Sequence, residues 1–179
     1  MRIPRFRRVA VAAAAAAALV PAHGAFPATR TRSTSSLATL RSAVLIDLNL
    51  VRAAHGLRPL RLNLDLSAAA AQHTDEMLQD GYFSHSSLDG TSFWRRIARF
   101  YPAVHYRIWT VGENLLWTGR RLSAVGALKM WMASPEHRAN ILRPGWREVG
   151  IAVQFERNAP GAFEDTNATV VAADFGARH

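Results

Sequence analysis

Residues 134–142 read Ser-Pro-Glu-His-Arg-Ala-Asn-Ile-Leu and follow a Trp-Met-Ala sequence. The pattern predicts a helix start. Ser134 suits the N-cap, where its hydroxyl accepts a hydrogen bond from an unpaired backbone N–H. Pro135 suits the first helical position because it has no N–H to leave unpaired. His137 and Asn140 are three residues apart, so they share one face. The stretch therefore predicts a short helix that presents a histidine and an asparagine to the same side.

Length and composition limit the class of protein. With 179 residues, 49% of them hydrophobic, the chain is long enough for one domain with a substantial core. It has no cysteine, which excludes disulfides, thiolate metal sites and cysteine nucleophiles. The net charge of +9 comes almost entirely from arginine, and after the N-terminal segment no basic block is interleaved with aromatic residues. We therefore expect no nucleic-acid partner.

The N-terminal segment has the composition of an export signal and a spacer. Residues 1–8 carry four arginines, residues 9–20 are continuously apolar, and small residues follow. This order is typical of a secretory signal peptide, predicted at 1–25. The apolar run is short for a membrane span, which needs roughly 20 residues, although an uncleaved anchor is the alternative. Residues 26–36 have few apolar groups and are predicted to be a flexible linker before a domain at 37–179. We expect a secreted or envelope-associated protein with no membrane span after cleavage.

Hydrophobic periodicity predicts helices first and strands last. Helices are predicted at about 37–55, 65–80, 93–100 and 122–133, before the helix of the opening stretch. Gly56 suits a left-handed position at the end of the first helix. Alternation at 149–155 and 169–175 predicts two strands joined by a polar loop, whereas residues 101–111 are predicted to be irregular and Glu113 to lie in a loop. This order of elements predicts an α+β fold, a layered sandwich.

Short motifs along the chain carry a family resemblance. In order they are Gly56-Leu57-Arg58-Pro59-Leu60, Tyr82-Phe83-Ser84-His85, Gly112-Glu113-Asn114, Trp131-Met132, Ser134-Pro135-x-His137-Arg138-x-Asn140-Ile141-Leu142 and Asp174-Phe175-Gly176. In number and order they resemble the CAP superfamily, the SCP-like extracellular domain, in a short bacterial form without cysteine. The resemblance covers roughly residues 40–177. It implies a three-layer α-β-α sandwich with a small antiparallel sheet.

The same resemblance implies a cleft with two histidines and acidic residues. The matching positions are His85, Glu113 and His137. Many eukaryotic relatives have a second glutamate where this chain has Ser134, so the four-residue version of the site is incomplete. In CAP-like proteins the paired histidines have been proposed as a divalent-metal site. The resemblance therefore implies that His85 and His137 could bind an ion such as Zn²⁺, with Glu113 as a neighbour.

Other polar residues have more ordinary expected roles. Asn114 and Asn140 are expected in the cleft, where they hold loop backbone. His73 lies on the apolar face of its helix and is expected to be a hydrogen-bonded core histidine. Ser84 lacks the Gly-x-Ser-x-Gly motif that would support a serine hydrolase.

Three functions remain open at this stage. The first is an exported, non-catalytic module that binds a lipid, a cell-envelope component or a partner protein. The second is a metal-dependent hydrolase that uses His85, His137 and Glu113. The third is a structural envelope protein with a vestigial cleft. For the cleft residues themselves, the alternative to a functional site is a buried His–Glu–His hydrogen-bond network that fixes the loops.

Overall fold

The structure is a computed structural model that describes the backbone of residues 28–179 and the side chains from residue 36 onward. The predicted signal peptide at 1–25 lies outside the described residues. The helices of the described part are α1 (Ala28–Ala54), α2 (Leu64–Asp80), α3 (Phe93–Phe100), α4 (Ala124–Ala133) and α5 (Pro135–Ile141). The strands are β1 (Arg61–Leu62), β2 (Trp109–Thr118), β3 (Glu148–Ala159) and β4 (Thr166–Arg178). None of the helices in this part is long and apolar enough to span a membrane.

The four strands form one sheet with the order β1-β3-β4-β2. β4 pairs antiparallel with β2 and β3, whereas the short β1 pairs parallel with β3, so the sheet is mixed rather than purely antiparallel. One apolar cluster joins a sheet face to α1, α4 and α5, and two others join the opposite face to α2 and α3. The expected α+β fold, a three-layer α-β-α sandwich, is confirmed.

Helix α1 begins earlier than the sequence predicts. Its first residue is Ala28, so it includes most of the 26–36 segment that was predicted to be a linker. Once the apolar stripe of a helix is packed, each added residue gains a hydrogen bond without a new nucleation cost, which favours this extension. The other end agrees with the prediction, because the helix stops at Ala54 and Gly56 has a φ of 69°.

Strand β2 is the largest difference from the sequence prediction, which placed an irregular segment and a loop here. It pairs with β4 along its whole length, from Trp109 opposite Arg178 to Thr118 opposite Thr169. Its central residues 112–116 are buried on both faces, so the polar–apolar alternation of a half-exposed strand is missing. Glu113 and Asn114 are neighbours on this strand and point to opposite faces of the sheet.

The helical spacing of apolar residues predicts Trp94, Val125 and Trp131 in the core, but the first two lie at the surface. Trp94 is 45% exposed, with the Arg95 guanidinium 5.0 Å from its ring centroid, and Val125 is 54% exposed. Trp94 is two residues before the buried Arg96 of α3, and Val125 follows the buried Ala124 of α4. Neighbouring residues of a helix point in different directions, so a residue next to a buried position can face solvent. Trp131, by contrast, is fully buried as expected.

Gly150 allows α2 to lie directly on β3. A Cβ atom at this position would lie 2.1 Å from the backbone of Leu66 and Ser67. We expect Gly150→Ala to destabilise the protein by about 2–3 kcal/mol, because α2 must move away from the sheet. Denaturant unfolding measures this change. Gly145→Ala is the matched control, since a Cβ atom there meets nothing within 4 Å. Equal stability of the two variants would contradict this packing.

Candidate functional site

The expected cleft residues come together beside β2, which is an edge strand of the sheet. The cleft has a volume of about 360 Å³. His85 and Phe93 reach it from the α2 and α3 side, and the residues of α5 reach it from the other layer. Its lining consists of His85, Phe93, Gly112, Glu113, Asn114, Glu136, His137 and Asn140. All five residues expected from the sequence therefore line a single cleft.

The core of the site is a buried carboxylate with two partners. The Glu113 side chain is fully buried, and its Oε1 lies 2.7 Å from Nδ1 of His85, whose side chain is 51% exposed. Its Oε2 accepts a hydrogen bond from a guanidinium nitrogen of Arg96, which is itself buried. Because a carboxylate only accepts, His85 Nδ1 is the donor in this contact, which leaves Nε2 as the other polar atom of the ring.

Arg96 also holds the backbone next to the cleft. Its second terminal nitrogen donates to the carbonyl oxygen of His85 over 3.0 Å. One guanidinium therefore fixes both the backbone of His85 and the carboxylate that orients its ring. The sequence did not identify Arg96 as a site residue, because an arginine next to exposed Trp94 and Arg95 has no distinguishing pattern.

His73 of α2 holds the same loop through a hydrogen bond to its backbone. It is fully buried, as expected for a core histidine, and its Nε2 donates to the carbonyl of Ser84 over 2.8 Å. Burial, and secondarily the charge of Arg96, lowers the pKa of His73, which favours the neutral ring. The Ser84 hydroxyl accepts a hydrogen bond from the N–H of Ser86, so it belongs to a turn. His73 and Arg96 together hold two consecutive carbonyl groups at the start of the cleft.

The two asparagines hold backbone, as expected, but the backbone belongs to a helix and a strand. Asn114 donates to the carbonyl of His137 over 3.1 Å. Asn140 donates to Asn114 Oδ1 over 2.9 Å and to the carbonyl of Glu113 over 3.2 Å. Trp131 Nε1 similarly donates to the carbonyl of Leu115 over 3.1 Å. The backbone carbonyls of Glu113 and Leu115, on the unpaired edge of β2, therefore accept hydrogen bonds from side chains. A further strand could not pair with these carbonyls, so strand addition at this edge is disfavoured.

His137 lies on the first turn of α5. Ser134 is the N-cap residue, and its hydroxyl accepts from the N–H of His137 over 3.5 Å, as the opening pattern predicts. The His137 side chain is half-buried in the cleft. Burial lowers its pKa, and the neighbouring His85 lowers it further. His85 is therefore close enough to influence the charge of His137.

Arg52 fixes the other end of α5. In the sequence it lies off the apolar stripe formed by Leu40, Val44, Leu48 and Val51, which predicts an exposed arginine, yet it is fully buried. Its guanidinium donates to the carbonyl groups of Ile141 over 2.6 Å and Arg143 over 3.1 Å, and its Nε donates to Arg58 over 3.0 Å. The carbonyl groups at a helix C-terminus lack partners within the helix, so a buried cation stabilises them. Arg52 therefore anchors the helix that carries His137.

The residues do not form a preformed metal centre. Across the described ranges, no three His, Cys, Asp or Glu side chains are grouped as metal ligands. Both oxygens of Glu113 already contact Arg96 and His85, so of the three residues that the resemblance names, only His85 and His137 have nitrogens left for an ion. Zinc sites in proteins usually have three or four protein ligands. The donor set therefore does not fit the Zn²⁺ ion that the resemblance implied.

Comparisons with known proteins agree with this fold. Residues 45–171 match the model of the CAP family, described as the cysteine-rich secretory protein family. The uncharacterized protein YkwD of Bacillus subtilis is 31% identical over 123 residues, which are 69% of this chain and 46% of YkwD. The uncharacterized membrane protein YlbC of the same species is 27% identical over 61% of this chain and 30% of its own length. The chain thus spans less than half the length of these relatives.

Solved structures show the same architecture at lower sequence identity. An extracellular protein of Bacillus anthracis with an SCP domain superposes with a TM-score of 0.63 and 22% identity, covering 84% of this chain and 44% of that one. An outer surface protein of Borrelia burgdorferi gives a TM-score of 0.59 and 17% identity, covering 77% of this chain and 92% of that one. With the family model matched over most of the domain, the chain belongs to the CAP family of cysteine-rich secretory proteins, in a form that has no cysteine.

Proposed function

We propose that this CAP domain is a secreted, non-catalytic binding module, and that its cleft binds a component of the cell envelope or a partner molecule. The observation that supports this most is the state of Glu113. Its carboxylate is buried and fully engaged by Arg96 and His85, so it is not free to act on a substrate. The exposed ring of His85 and the half-buried ring of His137 are then the groups available to a ligand.

The lining of the cleft favours a polar ligand group over an acyl chain. Two imidazoles, the Glu136 carboxylate and two amides surround a single aromatic ring, Phe93. That ring meets His85 edge-on, with centroids 6.3 Å apart. A volume of about 360 Å³ is within the usual range for small-ligand sites, roughly 300–1,000 Å³. The sugar or peptide groups of envelope polymers have the hydrogen-bonding capacity that such a lining requires.

Secretion is the second part of the proposal. The N-terminal residues have the pattern of a signal peptide at 1–25. Similar folds occur in a protein named as extracellular and in one named as an outer surface protein. Immunodetection in the culture medium and envelope fractions tests this part. Retention of the full-length chain in the cytoplasm would contradict it.

Replacing both cleft histidines is expected to weaken binding. We expect His85→Ala/His137→Ala to bind the host's insoluble envelope fraction about tenfold or more weakly, because two hydrogen bonds of about 0.5–1.5 kcal/mol each are lost. Co-sedimentation, and flotation with lipid vesicles, measures this effect. His55→Ala is the matched control, since His55 is exposed at the end of α1. Unchanged binding in the double variant would favour a vestigial cleft, and no binding by the intact protein would contradict the proposal.

A hydrolase is the second candidate function, and the geometry of the His85–Glu113 pair supports it. Glu113 binds Nδ1 of His85, whose side chain is 51% exposed, and this is how a carboxylate orients a general base. A metal-dependent version requires a bound ion. We expect titration calorimetry of the intact protein with Zn²⁺ to show no stoichiometric binding, because only two nitrogen ligands are free. Stoichiometric binding that is lost in the double variant would overturn this expectation and revive the metal-dependent hydrolase.

A further inference from the structure

A second buried acid, Asp174 of β4, lies next to Glu113 in the sheet. The two residues are directly opposite each other in the β2–β4 pair, and Gly150 is opposite Asp174 in the β3–β4 pair. Directly opposite residues point to the same face of a sheet, so both acids face the α2 and α3 layer. Asp174 is fully buried. Within the part of the chain that the structure describes, no N–H or hydroxyl donor binds either of its carboxyl oxygens, and the polar group beside them is the Glu113 carboxyl.

Few charged groups face Asp174 from the elements packed against it. Glu113 of β2 and Arg96 of α3 are the charges that act on Asp174. His73 of α2 lies near both of them. Gly150 of β3 is opposite Asp174 and has no side chain, while Glu148, two residues away on the same face, accepts a hydrogen bond from Tyr101. The terminal nitrogens of Arg96 already bind Glu113 and the carbonyl of His85. Its Nε has no partner among the described residues either, so it does not bond to Asp174. Arg96 is therefore the cation whose charge acts on both buried carboxyl groups, and of the two it forms hydrogen bonds only with Glu113.

We propose that Asp174 is the second acid of this site and retains its proton, so that it acts as a neutral positioning residue behind an ionised Glu113. A buried carboxylate without donors is very unfavourable, whereas a carboxylic acid has an O–H that can be directed at Glu113. This acid comes from β4 rather than from position 134, where this chain has a serine. The inference deepens the proposed function, because it concerns the support of the cleft's His85–Glu113 pair.

The electrostatic surroundings agree with the geometry. Burial raises the pKa of Asp174 well above its usual value, the negative charge of Glu113 raises it further, and Arg96 offsets part of this effect. A raised folded-state pKa means that the folded chain holds a proton that the unfolded chain has released. This contribution is fully present below the usual pKa of 3.8 and is lost as the pH rises through the folded-state value.

Asp174→Asn tests this directly, because an amide has the shape of the neutral acid and keeps a donor. We expect the variant to fold, and its stability relative to the wild type to increase as the pH rises above the usual aspartate pKa of 3.8. The ratio of the two folding constants should grow by up to about tenfold per pH unit in this range. Denaturant unfolding at each pH measures it. A variant that is strongly destabilised by the same amount at every pH would overturn the proposal, because an ionised, hydrogen-bonded Asp174 would then be needed.

An NMR titration of the His85 ring separates this inference from the proposed function, since it needs no ligand. If Asp174 is neutral, Asp174→Asn removes no charge, so the titration midpoint of His85 stays the same. If Asp174 is ionised, the loss of a negative charge near Glu113 lowers the midpoint. A constant midpoint supports the proposal even if the cleft binds nothing in the envelope assays. A lowered midpoint in a normally folded variant overturns it.

Discussion

Replacing Arg96 with methionine is expected to destabilise the protein by about 3–5 kcal/mol, the usual cost of leaving one member of a buried ion pair unpaired. Arg96 is buried, and it binds both Glu113 and the carbonyl of His85. Without it, Glu113 must take up a proton or move toward water. We also expect the His85 loop to lose its fixed position. Denaturant unfolding measures the first effect, and amide hydrogen exchange of residues 84–87 measures the second.

Two further variants make the test specific. Arg95→Met is the matched control, because Arg95 is exposed and stacks only near Trp94. Arg96→Met/Glu113→Gln should recover part of the lost stability, since no unpaired buried charge remains. If Arg96→Met were as mild as Arg95→Met, the buried pair would not support the cleft as described.

The second large effect is expected for Arg52→Met, with a loss of about 3 kcal/mol. The carbonyl groups of Arg58, Ile141 and Arg143 would lose their donor, and an unpaired buried polar group costs about 1–3 kcal/mol. Methionine has a similar length and fills most of the space, so the change reports mainly on hydrogen bonding. Because α5 carries His137, we also expect the His137 resonances to broaden or shift. Unfolding curves and NMR spectra check these two effects.

Arg41→Met on the same helix is the matched control, since Arg41 is exposed. Burial lowers the pKa of Arg52, and Arg147 lowers it further, so the folded state already bears a cost for this charge. If Arg52→Met were neutral, that cost would equal the value of the three hydrogen bonds, and α5 would be held by its apolar contacts alone. Unchanged His137 resonances would lead to the same conclusion.

The elements that could be predicted from the sequence are those with one buried and one exposed side. Helix α2 ends at Gly81 with a left-handed backbone, and α5 begins with Ser134 and Pro135, so local rules placed both correctly. Strand β2 could not be recognised in the same way. It is covered by helices on both faces, and its centre contains Gly112, Glu113 and Asn114, which resemble a turn when no partner strand is known.

The candidate site was predictable as a set of motifs but not as a network. The resemblance brought His85, Glu113 and His137 together, and all three line the cleft. Arg96 and Arg52 were missed because arginine is usually exposed, and only the fold shows which arginine faces a buried carboxylate or a helix end. Asp174 was noticed within a motif, but its role depends on the register that places it opposite Glu113.

We propose the exposed imidazole of His85 and the half-buried imidazole of His137 as the binding groups of the cleft. The most direct measurement is an NMR titration of the intact protein with soluble fragments of the host envelope, in the presence of a metal chelator. We predict that the ring resonances of His85 and His137 shift with one saturable dissociation constant, while those of His55 remain unchanged. Shifts that occur only away from the cleft, or only when a divalent metal is supplied, would contradict the account.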